Sequence, residues 1–551
     1  APAGSSPPGF RQEHAVSGDL VPTPAPERSG VVARGVAASA VIVAVGQLLS
    51  RLMGLVRETA IADVFGASAD LSSFTIASRV PDMTYQLLLG GMVSAALVPV
   101  LSEYASAGRR AELERLTSTL LTVSITLFAV VVGVMELLSP LLALALGGGF
   151  APELLQLTTT LIRLILPSLI FFGLWGVTVG VLYARQQFAF PALASAVYNL
   201  GVIVGALLGR RIGVAALSMG VVLGALFQFL IVLPGLWGLR LRINYDLRHP
   251  ALRRIVVLYL PVIASLVVAN LGIAIDGNLA SRTTDQALSW MRYATFLFQL
   301  PLGLVSVAIA TAALPTLSRL TGDADNAQFR RTLAGALRLV IVLVVPATVG
   351  LLVLGQDAIR VALEHGVFTP FDTAQVSRAL LFYLPGLPFA AIDQPLVFAF
   401  YARKDTVTPV LVGIAAVGAY LLVGPFLAFI VGLGYIGLVI ANAVQLTTHC
   451  ILMWVLLERR VGSMARHGLL ATTAKVTLAA AAAGLGMLAG PSLATRLIPV
   501  PGIGGEATSL LVGTVGGAAV YGLGLSLLGV EELATFLAFA RARLRRPVND
   551  A

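Results

Sequence analysis

The sequence predicts an all-α polytopic membrane protein. About fourteen transmembrane helices form two parallel-related six-helix lobes around a central cavity, with two extra helices at the C-terminal end. Three observations predict this. First, the chain of 551 residues is 57% hydrophobic and only 12% charged, where a soluble globular chain carries roughly 25% charged residues. Its mean hydropathy is +0.91. Second, apolar stretches long enough to span a bilayer, about 17–25 residues each, recur along the whole chain. Third, an internal repeat is visible. YARQQFAFP at 183–191 matches YARKDTVTP at 401–409, 218 residues apart, and VPVLS at 98–102 matches LPTLS at 314–318, 216 residues apart.

The apolar stretches fall near 36–60, 73–101, 115–146, 153–183, 190–209, 212–238, 252–276, 287–316, 331–355, 375–401, 407–431, 433–457, 470–490 and 507–529. Six spans, an even number, separate the two copies of the repeat. The halves therefore share one orientation and are related by an axis along the membrane normal. This divides the chain into a lobe at 31–245, a lobe at 246–462 and two outlying spans at 463–535. Residues 1–30 are rich in Pro, Ser and Gly without an apolar run, and read as a disordered tail rather than a cleavable signal. A basic tail occupies 536–551.

Alternate connections carry the arginines: Arg109, Arg110 and Arg115; Arg185; Arg240, Arg242, Arg248, Arg253 and Arg254; Arg319, Arg330 and Arg331; Arg403; Arg459, Arg460 and Arg466. The opposite connections hold fewer, with Arg210 and Arg211 running against the trend. The positive-inside rule places both termini in the cytoplasm. The formal net charge of +10 is accounted for by these loops facing anionic lipid, not by nucleic acid. Cys450 is the only cysteine and lies in an apolar run, as a small buried hydrophobe does. No His/Cys cluster has metal-ligand spacing, and no GxxxxGK[ST], GxSxG or HExxH pattern occurs. No cofactor and no enzymatic activity are expected.

Charges inside the spans carry the functional signal, because each costs roughly 2.5–3.5 kcal/mol at mid-bilayer. SRLMGLVRETAIADVFG at 50–66 places Arg51 and Arg57 in the first span, followed by Glu58. Arginines at a helix end snorkel to water. In a hydrated cavity they bind phosphate in a bidentate fork. Glu58, seven residues after Arg51, shares nearly the same helical face and is expected to neutralise it. Arg79 precedes Pro81 in span two. Asp276 in span seven and Arg292 in span eight admit two readings: a structural ion pair, or a coupling-ion or substrate role. Arg163 and Glu136 read as packing or interfacial charges, and Asn199 as an interhelical hydrogen-bonding residue.

These stretches resemble the MurJ/MviN family of lipid II flippases, of the multidrug/oligosaccharidyl-lipid/polysaccharide exporter superfamily. The matching pieces are SRLMGLVRETAIADVFGAS, RVPDMTYQLLLGGMVSAALVPVLSEY, FPALASAVYNLG, LSWMRYATFLFQLPLGLVSVAIATAALPTLS, HGVFTPFDTA and FYARKDTVTP, in family order from about residue 40 to 460. The resemblance implies a flippase in the bacterial inner membrane. It would carry an undecaprenyl-pyrophosphate-linked peptidoglycan precursor from the inner to the outer leaflet by alternating access, without nucleotide hydrolysis. It implies this precursor and membrane lipids as partners, with other cell-wall synthesis proteins as a further partner class. It also implies Arg51, Arg57, Arg79 and Arg292 as substrate-binding residues, with Asp276 and Glu58 as an ion site or charge pair. The chain departs from the family at Ser72, where well-known members are acidic, at Tyr85 and Gln86, which replace a basic pair, and at Phe296, which replaces a cavity arginine. Arg292 lies one turn before Phe296 and is positioned to supply the missing charge. Tyr420 and Gly424 stand where some relatives place polar sodium ligands, which argues against sodium coupling. Export of another polyprenyl-linked glycan, and a non-transporting scaffold of wall synthesis, are the alternative readings. A polyprenol-dependent glycosyltransferase is disfavoured, since no loop is long enough for a catalytic domain.

Overall fold

The chain folds, in a computed structural model, into helices joined by short turns. The described residues are 26–89, 93–105, 109–320, 325–464, 467–490 and 502–530, with 322, 492 and 532 between them. Side chains are described from residue 42 onward except at a few helical positions such as 260–269. Of the tail expected at 1–30, residues 1–25 lie outside the described residues and residues 26–30 instead begin the first helix; the tail expected at 536–551 lies outside the described residues.

Among the described residues, fourteen helical segments follow one another. α1 is Pro26–Phe65, and α2 starts at Ala69–Leu89 and resumes as Val98–Tyr104. α3 is Arg110–Gly147, α4 Pro152–Ala184, α5 Ala189–Ile212 and α6 Ala215–Leu236. α7 is Pro250–Ser281. α8 is Ala287–Arg319, α9 Asn326–Leu363, α10 Pro370–Ala402, α11 Val407–Ile430, α12 Tyr435–Val461, α13 Leu469–Leu488 and α14 Ile503–Leu527. Eleven of these are long and apolar enough to cross a membrane. The other three, α1, α2 and α7, hold Arg51, Arg57 and Glu58; Arg79; and Asp276.

Local chemistry sets the ends and breaks. α10 starts with a capping box, in which Thr369 and Asp372 satisfy each other's backbone N–H groups and Pro370 takes the first helical position. π turns at Leu302–Ser306 and Phe426–Ile430 directly follow Pro301 and Pro425. Proline lacks an N–H and forces the hydrogen-bond ladder to shift register.

The repeat has a conformational signature. Among the described residues, the non-glycine positions with positive φ are Gln186 (60°) and Lys404 (61°), the equivalent residues of the two YAR copies. Each ends its helix in a Schellman turn. Gln186 N–H donates to the Tyr183 carbonyl at 3.0 Å and Gln187 N–H to Leu182 at 2.8 Å. Lys404 N–H donates to Tyr401 at 2.9 Å and Asp405 N–H to Phe400 at 3.0 Å. A side chain in this left-handed region costs about 1 kcal/mol. Gln186→Gly and Lys404→Gly are therefore expected to raise the thermal midpoint, each by the equivalent of up to about 1 kcal/mol. Beside the second turn, burial of Asp405 works against its charge. Hydrogen bonds from the Thr408 hydroxyl and amide and from Arg460 outweigh it and hold the carboxyl down to about 2. The stabilisation from this lowered acid is present at neutral pH and is lost as pH falls through that value.

Three apolar cores organise the bundle. One lies at the end where α1 finishes and α2 begins, and draws on both halves: Ile61, Phe74 and Leu161 from the first, Tyr293, Ile359 and Leu380 from the second. At the opposite, arginine-rich end the halves have separate cores. Leu97, Leu116, Leu182 and Leu236 form one. Phe329, Phe400, Met453 and Leu457 form the other. The halves are thus joined at one end and parted at the other. The exception is the start of α7, where Ala251, Ile255 and Tyr259 pack into the core of the first half.

Polar contacts across the halves cluster at the joined end. Tyr293 Oη donates to the Gly66 carbonyl at 3.0 Å, and Ser289 Oγ to the Ser68 carbonyl at 3.0 Å. Asn278 Nδ2 donates to the Ala145 carbonyl at 2.9 Å, Gly149 N–H to Ser281 Oγ at 3.0 Å, and Val367 N–H to the Asp63 carbonyl at 3.1 Å. Ser72, where the resemblance implies an acidic residue, belongs to this seam: its hydroxyl lies 3.0 Å from that of Ser289.

Candidate functional site

The intramembrane charges meet just beneath the joined end, at the apex of the parting. Arg57 lies eight residues before the end of α1 and Arg79 ten residues into α2. At 1.5 Å per residue these are depths of about 12 and 15 Å. Arg292 and Asp276 each lie five residues from the ends of α8 and α7 that face the seam.

Glu58 is the centre of the first cluster, with only 2% of its side chain exposed. Arg57 donates to its Oε1 through Nε at 3.0 Å and Nη2 at 2.7 Å. Arg292 grips both oxygens, Nε to Oε2 at 3.1 Å and Nη2 to Oε1 at 3.0 Å. The remaining Nη1 of Arg57 donates to Asn199 Oδ1 at 2.9 Å. Asn199 is fixed in turn by donating to the carbonyls of Ser50 and Ser195 at 3.2 and 3.0 Å. The Arg292 guanidinium lies over the Phe74 ring at 5.6 Å, within cation–π range. One buried carboxylate thus bridges α1 to α8 through two guanidinium groups.

Asp276 is the centre of the second cluster. Arg79 Nη2 lies 3.3 Å from its Oδ2, and Nη1 donates to the Ile273 carbonyl at 3.0 Å. Tyr420 Oη donates to Asp276 Oδ1 at 2.7 Å. Both carboxylate oxygens are taken, one by a guanidinium and one by a phenol. Glycines make room for two of the arginines. Any Cβ on Gly277 would overlap the Arg79 guanidinium, and one on Gly303 would overlap that of Arg51. Gly277→Val is expected to displace Arg79 from Asp276 and to lower the thermal midpoint of the purified protein.

Two expected pairings are corrected. Glu58 does not neutralise Arg51. It turns toward Arg57 and Arg292, because burial between α1 and α8 brings a second cation from another helix that spacing along α1 alone does not reveal. Arg51 instead packs over Gly303 on α8. Asp276 and Arg292 do not pair either. The two side chains leave α7 and α8 in different directions, Asp276 toward α2 and α11, Arg292 toward α1 and the Phe74 ring. Arg163 and Glu136 lie 3.9 Å apart, away from the cluster, and Arg163 Nε donates to Ser139 Oγ at 2.8 Å. Arg210, the charge that ran against the orientation trend, pairs with Asp63 at the joined end.

Sequence reasoning missed Asp82. It is solvent-exposed although it sits on α2 among packed helices, and it feels the charges of Arg57, Arg292 and Arg79. It therefore faces the parting between the halves. Its signal was present: it follows Pro81 in the same stretch as Arg79, an ionisable residue inside a span. The buried Tyr198 senses the same group of charges. Arg57, Arg79 and Arg292 converge here with Glu58, Asp276 and Asp82, and Arg51, six residues before Arg57 on α1 and packed over Gly303, brings the group to one formal positive charge. No group of His, Cys, Asp and Glu suited to a metal ion occurs among the described residues.

Arg57, Arg79 and Arg292 can grip an anion only by releasing the carboxylates that hold them. The model of the lipid II flippase MurJ family matches residues 61–499. The chain belongs to the MurJ family. It is 31% identical over 424 residues to a lipid II flippase MurJ of Burkholderia cenocepacia, covering 75% of this chain and 82% of that one. It is 32% identical over 428 residues to a probable lipid II flippase MurJ of Vibrio cholerae, covering 74% and 80%. A solved lipid II flippase MurJ in an inward closed conformation superposes with a TM-score of 0.72 at 23% identity, covering 89% of this chain and 99% of that one. An inward-facing MATE transporter of the MOP superfamily superposes at 0.64 with 13% identity. These two likenesses concern the fold. Against the MurJ family pattern, Phe296 packs on the shared core beside Gly54, and the guanidinium of Arg292 enters the charge cluster from one turn earlier.

Proposed function

We propose that this chain is a flippase that carries lipid II from the inner to the outer leaflet by alternating access, with its head group passing through the parting between the halves. The observation that carries this reading is the bridged cluster of Arg57, Glu58 and Arg292 at the apex, in a chain of the MurJ family. Each tetrahedral phosphoryl group of the diphosphate offers a pair of oxygens that the planar guanidinium fork meets in a bidentate contact. Arg51, Arg57, Arg79 and Arg292 are its ligands in this reading. Glu58 is the counter-charge that the diphosphate displaces and that later returns to displace it. Asp276, held by Arg79 and Tyr420, is a charge pair rather than an ion site, because its oxygens are already occupied. The lobes at 31–245 and 246–462 are the rocking units.

In a cell, the arginine-rich end faces the cytoplasm, so the parted side opens toward the leaflet where the precursor is made. This orientation is tested by labelling. Phe150 in the arginine-free turn is buried, whereas Ala151 is exposed. Ala151→Cys in a Cys450→Ala chain should react with an impermeant maleimide in intact cells. Reaction only after permeabilisation would reverse the orientation.

Function is tested by complementation in cells depleted of their own lipid II flippase, reading lipid II at the outer leaflet. The chain is expected to restore growth. Growth without restored lipid II exposure would point to a scaffold. Failure of both, with normal insertion, would point to a different polyprenyl-linked glycan, since that cargo shares the diphosphate but not the sugars.

A further inference from the structure

The connection between α6 and α7 carries a surface that the transport cycle does not use. From Leu239 to Asp246 the chain is neither helix nor turn and follows the flank of α3. Arg242 N–H donates to Ser118 Oγ at 3.1 Å and Asn244 N–H to Thr122 Oγ1 at 3.2 Å. Asn244 Nδ2 donates to Thr119 Oγ1 at 2.8 Å, and the Tyr245 and Thr126 hydroxyls lie 3.0 Å apart. Asp246 pairs with Arg115 at 2.9 Å. Hydroxyls of α3 thus satisfy backbone groups that such a segment leaves open.

From 243 to 247 the side chains alternate, as in an extended chain. Asn244 and Asp246 turn inward to α3. Ile243 and Leu247 turn outward and are 86% and 65% exposed, Tyr245 is 58% exposed while its hydroxyl stays on Thr126, and Trp237 is 79% exposed. Arg240, Arg242 and Arg248 are also exposed. The depth of this segment follows from the length of α3. Its 38 residues span about 57 Å, whereas the hydrocarbon core needs about 20 residues. Counted back from Gly147, the core ends near residue 127, next to Thr126. The segment therefore lies at the level of the lipid head groups on the arginine-rich side.

We propose that residues 237–248 form an interfacial strap that binds anionic phospholipid, with Ile243, Tyr245 and Leu247 at the acyl boundary and Arg240, Arg242 and Arg248 on lipid phosphates. Exposed aromatic and aliphatic groups beside arginines match that layer in polarity and charge. The strap joins the halves and leads straight into α7, whose start is held to the first half by Arg254 and Glu103 at 2.8 Å. Lipid binding there fixes the point about which α7 moves. The phosphate recognised is that of bulk lipid, not of the transported precursor, so the test omits the precursor.

The full chain carrying Ile243→Cys and Cys450→Ala is spin-labelled and placed in vesicles of phosphatidylcholine alone or with three-tenths phosphatidylglycerol. In the mixed vesicles the label is expected to collide with oxygen more than with a water-soluble nickel chelate. Immersion should deepen with the phosphatidylglycerol fraction. Arg240→Gln/Arg242→Gln/Arg248→Gln should abolish the deepening with phosphatidylglycerol, since each arginine adds to the attraction toward an anionic surface. The corresponding triple lysine variant should keep the dependence. A label as open to the nickel chelate as one in bulk water, in both vesicles, overturns the proposal. So does equal immersion in both, since the arginines would then play no part.

Discussion

Arg292→Ala abolishes lipid II transport while the protein remains inserted in the membrane: this is the result expected if the cluster binds the diphosphate. Arg292 supplies two of the four guanidinium contacts on Glu58 and is the cation of this cluster that comes from the second half. Without it, Glu58 and Arg57 form a closed pair within α1, and a diphosphate bound to α1 has no hold on α8. Losing a charge-assisted contact made from both sides removes the link between binding and rocking, not only affinity. A loss of at least a hundredfold in outer-leaflet exposure is expected, about 2.7 kcal/mol. Arg292→Lys keeps the charge but loses the fork, and should be impaired rather than dead. Arg292→Ala/Phe296→Arg moves the guanidinium one turn along nearly the same face and should recover part of the activity. Normal transport by Arg292→Ala would make Arg292 a packing residue and remove it from the site.

Glu58→Ala is expected to have two opposed effects. It strands two guanidinium groups, 23% and 18% exposed, that shared one buried carboxylate. Removing one partner of a buried pair costs about 3–5 kcal/mol, and the partial exposure of both arginines puts the expected loss near the lower end. The thermal midpoint of the empty protein should fall, and a soluble diphosphate should restore it more than it does for the unaltered chain. The variant should also hold lipid II more tightly, because no carboxylate competes for Arg57 and Arg292. Transport should nonetheless slow, since nothing drives the head group off. Glu58→Gln, whose carbonyl still accepts hydrogen bonds, should lie between. Unchanged affinity together with unchanged transport in Glu58→Ala would show that Glu58 is a structural anchor only.

Much of the fold was legible because bilayer burial writes itself into composition and segment length. The repeat was legible for a sharper reason. Tyr-Ala-Arg marks a helix end, and in the structure Gln186 and Lys404 adopt the same left-handed turn. The candidate site was half legible. Arg51, Arg57, Arg79, Asp276 and Arg292 stand out because charge is rare in spans, but their partners do not. Helical spacing assigned Glu58 to Arg51, since spacing sees one helix at a time. The pairings of Glu58 with Arg292 and of Asp276 with Tyr420 link residues 234 and 144 positions apart, and only packing decides them. Asp82 was overlooked for the opposite reason. It has no tight partner, and its meaning lies in the open space it faces.

The shared core at one end and the separate cores at the other also decide where the membrane voltage acts. In the function and orientation proposed, a hydrated parting would carry the cytoplasmic potential inward as far as the charge cluster. The field then falls across the thin apolar seam alone. A unit charge crossing the full field exchanges about 2.3 kcal/mol per 100 mV, so groups beside the seam sense much of it over a short distance. In that orientation the charge group without substrate, one formal positive charge with Arg51 included, would be drawn toward the negative cytoplasm, which would keep the carrier facing its supply. A bound diphosphate reverses the sign, and the same field then pushes the loaded cluster outward. On this arrangement an inside-negative potential favours both strokes of the cycle, the loaded one and the empty return.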